Sequence, residues 1–182
     1  ANQFLKTLTA ELVERGHTVT QRPNKSTQVV LLNGFNTAPG KLHKPAKLAQ
    51  LRQTGKFNLL GSIMPERYWM SRRRNGPAIV HRLDGVAELV RGAPGPADAI
   101  QPIVNRLCDF TIFQTDYCRT SFADHSNLIP EHFTVINNAV NGGVFHPNLG
   151  AKSSSTKDGL LKFVAVSWSA NVRKGFAKLA EL

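Results

Sequence analysis

Four short apolar runs organise the chain, and each stops abruptly at polar residues. Gln28 to Leu32 ends at Asn33-Gly-Phe-Asn36, Pro77 to Val80 at His81-Arg-Leu-Asp-Gly85, Phe110 to Phe113 at Gln114-Thr115, and Phe133 to Ile136 at Asn137-Asn138. Short apolar runs rich in β-branched and aromatic residues, bounded by turn formers, read as buried strands. The segments between them have helical character: Lys44 to Gln53, Tyr117 to Phe122, and Ala97 to Leu107, whose Ile100, Ile103, Val104 and Leu107 are expected to share the buried face. Strands alternating with helices predict an α/β domain with a parallel sheet covered by helices on both faces.

The two ends of the chain add to this picture. Phe4, Leu5, Leu8, Leu12 and Val13 recur at helical spacing before Gly16, which stands where a helix-ending glycine belongs, and His17 to Thr20 alternates like a further strand. A helix with no strand before it is unusual in a Rossmann-like domain, so a first strand and loop are expected upstream of Ala1. After Pro147 the composition changes. Residues 148–159 read as a Gly/Ser/Lys-rich linker, Leu160 to Val166 as a new strand, and the residues from Gly175 as a helix in progress. The expected organisation is a Rossmann-like domain over 1–147, a linker over 148–159, and the first strand and helix of a second Rossmann-like domain over 160–182.

The 182 residues include 23 Lys+Arg and 12 Asp+Glu, for a formal charge of +11. Such a balance makes polyanions plausible partners: nucleic acid, anionic lipid or phosphorylated substrates. Its densest parts are Arg72, Arg73 and Arg74 and the set Lys41, Lys44 and Lys47. No helix-turn-helix, zinc-finger or RNP-like pattern accompanies them, which argues against a nucleic-acid reader. No apolar run approaches the roughly 20 residues that span a bilayer. Cys108 and Cys118 show no metal-ligand spacing, the histidines show no HExxH pair, and no metal site is expected. Free thiols and a cytoplasmic setting follow as expectations.

In open α/β sheets ligands bind beyond the carboxyl ends of the strands, which directs attention to the polar residues found there. Polar residues also end strands simply because they start turns. A ligand pocket at this edge is expected to use Asn33, Gly34, Gln114, Thr115 and Asn138. His81, Arg82 and Asp84 place an imidazole, a guanidinium and a carboxylate within four residues, the components of a base, an anion clamp and an orienting acid. The alternative is a surface Arg82–Asp84 pair with His81 packed inside. Strand alternation sends His81 and Leu83 to one face and Arg82 and Asp84 to the other. Ser167-Trp-Ser-Ala-Asn-Val-Arg-Lys-Gly175 sits between a strand and a helix start, where backbone amides and the helix dipole favour a phosphate, with Ser169, Arg173 and Lys174 at hand.

These segments, taken in order, resemble the family-4-type retaining glycosyltransferases of GT-B fold. The resemblance runs from Leu12-Val-Glu-Arg-Gly-His-Thr-Val19, similar to the family's "L-x-x-R-G-H-x-V", through Pro77 to Gly85, Asp109 to Thr115, and Asn138-Ala-Val-Asn141 with Phe145 and Pro147. Ala139 stands where the family has Gly and Asn141 where it has Asp. The loop from Ser167 to Gly175 resembles the one that opens the family's second domain.

The resemblance implies a transferase moving a sugar from a nucleoside-diphosphate sugar to an acceptor, with retention and with no cofactor beyond that co-substrate. The N-terminal domain would hold a sugar, lipid or protein acceptor. Lys174 matches the lysine that neutralises the donor diphosphate, assisted by Arg173, while the family's partner arginine falls near Trp168. The family's active-site histidine aligns nearer Asp84 than His81. The family's Gly-rich loop would precede Ala1 and its E-x7-E motif follow Leu182, so the chain is expected to be inactive alone. Arg72 to Arg74 and Lys41 to Lys47 would suit peripheral contact with the inner face of a membrane. Two other readings stand beside this one: a non-catalytic module that binds nucleic acid or anionic membrane, and a dinucleotide enzyme whose GxGxxG would lie upstream.

Overall fold

A computed structural model describes residues 3–34, 45–55, 74–139 and 175–181. Helix α1 (Gln3–Glu14) leads to β1 (Val29–Asn33), α2 (Pro45–Thr54), β2 (Ala78–Leu83), α3 (Ala87–Arg91), α4 (Pro96–Asn105), β3 (Phe110–Phe113), α5 (Asp116–Ser126) and β4 (Phe133–Val135). A single further turn, α6, spans Phe176–Leu179. The four strands form one all-parallel sheet in the order β1-β2-β3-β4. The α/β class and the parallel sheet expected from the apolar runs are therefore present.

The strand order fixes where the helices go. Every crossover steps the same way along the sheet, and right-handed crossovers made in one direction return on one face. The register shows which face: Val30 pairs with Ile79, Leu32 with His81, His81 with Thr111 and Leu83 with Phe113, so these side chains project together. Leu48, Ala49 and Leu51 of α2 and Val104 of α4, with Leu107 just beyond it, pack on Val30, Leu32 and Ile79. Phe122 of α5 joins Leu83, Val86 and Phe113 in a second cluster, its ring 5.9 Å from that of Phe113. On the opposite face, α1 reaches the sheet through Phe4, whose ring lies 4.1 Å from the Arg82 guanidinium carbon.

Two expectations need correction. His17 to Thr20 does not form a strand: the segment is irregular, Val19 is exposed, and β1 pairs with β2 alone among the described residues. Alternation without a ladder partner does not make a strand. Ile103 is not on the buried face of α4, which is instead lined by Asp98, Gln101, Val104 and Asn105. The helix is turned toward its polar side because Asp98 and Asn105 are anchors. Asp98 accepts from the amides of Ala87 (2.6 Å), Glu88 (2.9 Å) and Gly95 (3.0 Å), and so holds the starts of both α3 and α4. The expected first helix is present as α1, with Leu5, Leu8 and Leu12 of its apolar stripe half-buried and Phe4 and Val13 exposed. The apolar stretch Phe57 to Ile63, the 148–159 linker and the Leu160 to Val166 strand lie outside the described residues. No described helix is long and apolar enough to cross a membrane.

The amino-terminal end of the sheet is closed by an ion cluster. Asp109, just before β3, receives both Nη atoms of Arg74 (2.5 and 2.7 Å), Nη2 of Arg52 (3.0 Å) and the Ile79 amide (2.7 Å). Arg74 was expected to be part of a free basic loop, and its guanidinium is instead a fork on this carboxylate; Arg72 and Arg73 lie outside the described residues. Gly76, two residues on, donates to the Arg52 carbonyl at 3.0 Å, and a Cβ there would fall 2.0 Å from the Leu51 oxygen. Only glycine lets β2 enter so close to the end of α2.

Burial works to raise the Asp109 carboxyl, but the hydrogen bonds from Arg74, Ile79 and Arg52 outweigh it and hold the group below the usual carboxylate range. A carboxyl with a lowered folded-state pKa contributes stability above its unfolded pKa of about 3.9 and loses it as pH falls through the folded value. Urea midpoints should therefore hold steady from pH 7 to about 4 and drop below that. Asp109→Asn should lose about 2–4 kcal/mol at pH 7 and show a shallower acid limb. An acid limb as steep as that of the parent protein would contradict the assignment.

Burial pushes the Cys108 thiol up to about 12, and its S–H donates to the Val104 carbonyl at 3.2 Å. Its thiolate fraction at pH 8 is then about 10⁻⁴. Iodoacetamide at pH 8 should leave Cys108 unmodified in the folded protein and label it after denaturation, as peptide mass mapping would show.

Candidate functional site

Because the four strands are parallel, their carboxyl ends share one edge, and the polar residues that stop each apolar run are brought together there. Arg82 is the centre. Its position on β2 turns it away from the Leu83 cluster, and it is only 5% exposed. Nη1 donates to Asn33 Oδ1 of β1 (2.9 Å) and to Asp84 Oδ1 (3.1 Å), while Nη2 donates to Asn138 Oδ1 beyond β4 (2.6 Å). The Gln114 amide, beyond β3, donates to Asp84 Oδ1 and its oxygen accepts from the Asn138 amide. One connected network thus spans residues at the ends of all four strands.

Local backbone chemistry fixes the cluster's position. Gly34 has φ +58° and its amide donates to the Arg82 carbonyl at 2.7 Å, turning the chain out of β1 directly over β2. A Cβ on Gly34 would meet Asp84 Oδ2 at 2.8 Å, so the absent side chain makes room for the carboxylate. Thr115 is the N-cap of α5, its hydroxyl accepting from the Cys118 amide at 3.0 Å. That cap sets α5 beside the Asp84 turn, where the Cys118 thiol donates to the Asp84 carbonyl at 3.5 Å.

The residues differ in what they can do. The Arg82 Nη groups are occupied by three side-chain oxygens, with the Phe4 ring stacked against the guanidinium, so Arg82 positions its neighbours and offers an incoming anion no open side. Asp84 is different: its side chain is 53% exposed, and only one of its oxygens takes the Arg82 and Gln114 hydrogen bonds. It is a carboxylate held in place with an open edge, able to accept a hydrogen bond or a proton from a hydroxyl. Gln114 and Asn138 set its outer boundary.

His81 does not join this group. It is 1% exposed on the helix-covered face, where Nδ1 lies 3.3 Å from the Asn105 amide, which also donates to Thr111 at 2.9 Å. The structure thus separates His81 from Arg82 and Asp84 as strand alternation requires, and gives it a place in a buried polar network. Lys174, Arg173 and Ser169 lie outside the described residues, as do Phe35, Asn36 and Asn141. No group of three or more His, Cys, Asp or Glu that could hold a metal ion occurs among the described residues. Sequence reasoning missed Phe4 and Cys118 as neighbours of the cluster: one comes from 78 positions before Arg82, the other from 34 after Asp84, and no local pattern announces either.

Gly34→Ala tests the fit at the β1 turn. The left-handed φ costs an alanine about 1–2 kcal/mol, and the clash with Asp84 adds to it. Denaturation should show a loss of that size, and NMR should show the Gln114 and Asn138 side-chain amides shifted as Asp84 moves. Unchanged amide signals would mean that Asp84 is not held as described.

Comparisons with protein-family models, with curated proteins and with solved structures return no match, so the functional reading rests on the geometry at the strand ends.

Proposed function

We propose that the described domain is the acceptor-side half of a retaining glycosyltransferase that uses a nucleoside-diphosphate sugar. The observation that carries the reading is the network of Asn33, Arg82, Asp84, Gln114 and Asn138 at the carboxyl edge of an all-parallel sheet, the edge at which open α/β sheets bind ligands. It presents one accessible, immobilised carboxylate rather than a catalytic pair. In sequence, the segments 35–44 and 140–174, which follow Gly34 and Ala139, carry Lys41, Lys44, Lys152, Lys157, Lys162, Arg173 and Lys174 against a single acidic residue, Asp158. Such charge suits a diphosphate substrate.

In this mechanism the bond between the anomeric carbon and the diphosphate oxygen breaks, and the electron pair leaves with the diphosphate. The acceptor oxygen bonds to the same face of the sugar. Asp84 orients the acceptor hydroxyl and takes its proton, with Arg82 and Gln114 fixing the carboxylate so that no reorientation is needed at the moment of reaction. Lys174, Arg173 and Ser169, with the amides before α6, would meet the negative charge that develops on the leaving diphosphate. The resemblance in sequence order supports the same assignment, and no metal is called for by this chemistry.

The test is release of nucleoside diphosphate from a panel of nucleotide sugars, using protein expressed from its full reading frame. Asp84→Asn should lower kcat by about 10²-fold or more and, because it removes the only carboxylate on the buried Arg82 among the described residues, also cost about 1–3 kcal/mol of stability, so turnover is compared at a temperature at which the variant is folded. Undiminished turnover in that variant would remove Asp84 from the chemistry. No release with any donor would remove the transferase reading.

A further inference from the structure

A groove of about 410 Å³ lies on the outside of the domain between α3 and α5. Its floor is one face of α5: Tyr117, Thr120, Ser121, Asp124 and His125 stand at i, i+3, i+4, i+7 and i+8, a strip about 12 Å long. Leu89 of α3 forms the other wall, and Glu88 beside it faces His125 at 3.7 Å. The volume falls in the range of small-molecule sites. Tyr117, at the amino-terminal end of α5, marks the groove's end on the side of the sheet's carboxyl edge, and the next residue, Cys118, which does not line the groove, donates to the Asp84 carbonyl.

The chemistry of the lining is selective. Tyr117 is 64% exposed and Leu89 42%, giving an aromatic ring and an aliphatic edge open to a ligand. The Thr120 and Ser121 hydroxyls donate to backbone carbonyls of their own helix and keep lone pairs free to accept. Asp124 forms no ion pair or hydrogen bond among the described residues. Although the chain has 23 Lys+Arg, none of the described lining residues is one of them. A phosphate or carboxylate entering here would face the carboxylates of Asp124 and Glu88, with no lysine or arginine among the described lining residues to meet it.

We propose that this groove binds a saccharide, uncharged or bearing amino groups, as the distal part of the acceptor. Sugar C–H faces would lie on Tyr117 and Leu89, with hydroxyl or ammonium groups donating to Asp124, Thr120 and Ser121. The place of the groove in a reaction rests on the transferase reading; its capacity to bind rests on the groove alone. The acceptor is thereby a glycan end, and the groove selects against the phosphate chemistry that the basic segments favour.

The experiment titrates isotopically labelled protein with three probes: N-acetylated chitotriose, its deacetylated ammonium form, and trigalacturonic acid. The first two should shift the amides of Leu89 and Tyr117 to His125, and the ammonium form should bind at least about fivefold more tightly than the anionic one. Tyr117→Ala should weaken the neutral trimer about three- to tenfold. Asp124→Asn should remove the preference for the ammonium form and keep neutral binding. Absence of shifts at these residues with all three probes, or tightest binding by the anionic trimer, would overturn the proposal. Saccharide binding without donor turnover would sink the transferase reading and leave the groove standing. Transfer whose acceptor KM is unchanged by Tyr117→Ala would sink the groove and leave the transferase.

Discussion

A guanidinium buried at the end of a strand governs how the upper half of this domain is built. Removing such an ion from water costs several kcal/mol unless its donors are met, so Arg82 demands oxygen partners from every direction in which it is enclosed. Asn33, Asp84 and Asn138 supply them, and the Phe4 ring covers the guanidinium. The consequence reaches beyond one side chain. Asn33 must come at the last residue of β1, Gly34 must turn without a Cβ, and the chain beyond β4 must pass close enough for Asn138 to bond Nη2. The relative positions of β1, β2 and the β4 exit are thereby coupled to one charge, and the exposed Asp84 carboxylate inherits their rigidity.

The opposite end of the sheet uses the same kind of interaction for a different purpose. Asp109 is ringed by Arg74, Arg52 and the Ile79 amide, and its own amide donates to the Ile79 carbonyl at 2.8 Å. Here the carboxylate is the enclosed partner and every contact is internal. At the Arg82 end the cation is enclosed and the acid faces outward. That inversion separates a clamp from a site: both clusters tie elements distant in sequence, but only one leaves a reactive group accessible. Between them lies the apolar core of Leu32, Leu48, Ile79, Val104 and Leu83, which keeps the two charged ends apart.

Much of this was legible in the sequence because the strands announce themselves. Val29 to Asn33, Ala78 to Leu83, Phe110 to Phe113 and Phe133 to Val135 are runs too short and too β-branched or aromatic to be helices, and each polar stop marks a strand end. Once the strands are parallel, Asn33, Arg82, Asp84, Gln114 and Asn138 must share an edge. What was not legible depends on partners far along the chain. The Asp109 pairs span 35 and 57 residues, and no local period encodes them. The face of α4 was misjudged because apolar spacing marks Ile103, whereas the buried hydrogen bonds of Asp98 and Asn105 set the helix's rotation. Asp98 did leave a trace: an acid three residues after Gly95, at a proline-led helix start, is a capping signal.

The distribution of charge carries the last step. The described residues hold twelve Lys+Arg and ten Asp+Glu, a net of +2, so nine of the eleven excess charges belong to the remaining segments. Within the described body the arginines are largely engaged: Arg15 with Glu11, Arg52 and Arg74 with Asp109, Arg82 with Asp84, and Arg119 with Asp116. A body so nearly neutral is a poor scaffold for sequence-independent binding to a polyanion, which needs cations spread over a continuous face. Of those nine charges, segments 35–44 and 140–174, which follow Gly34 and Ala139 in the chain, carry six and segment 56–73 carries three; charge of that kind suits an anionic substrate group. The groove beside α5, with Asp124 and no lysine or arginine among its described lining residues, suits the part of a substrate that carries no negative charge. The proposed reaction, between an anionic donor and an uncharged or amine-bearing acceptor, would draw on both kinds of surface, with the outward-facing Asp84 carboxylate acting on the acceptor hydroxyl.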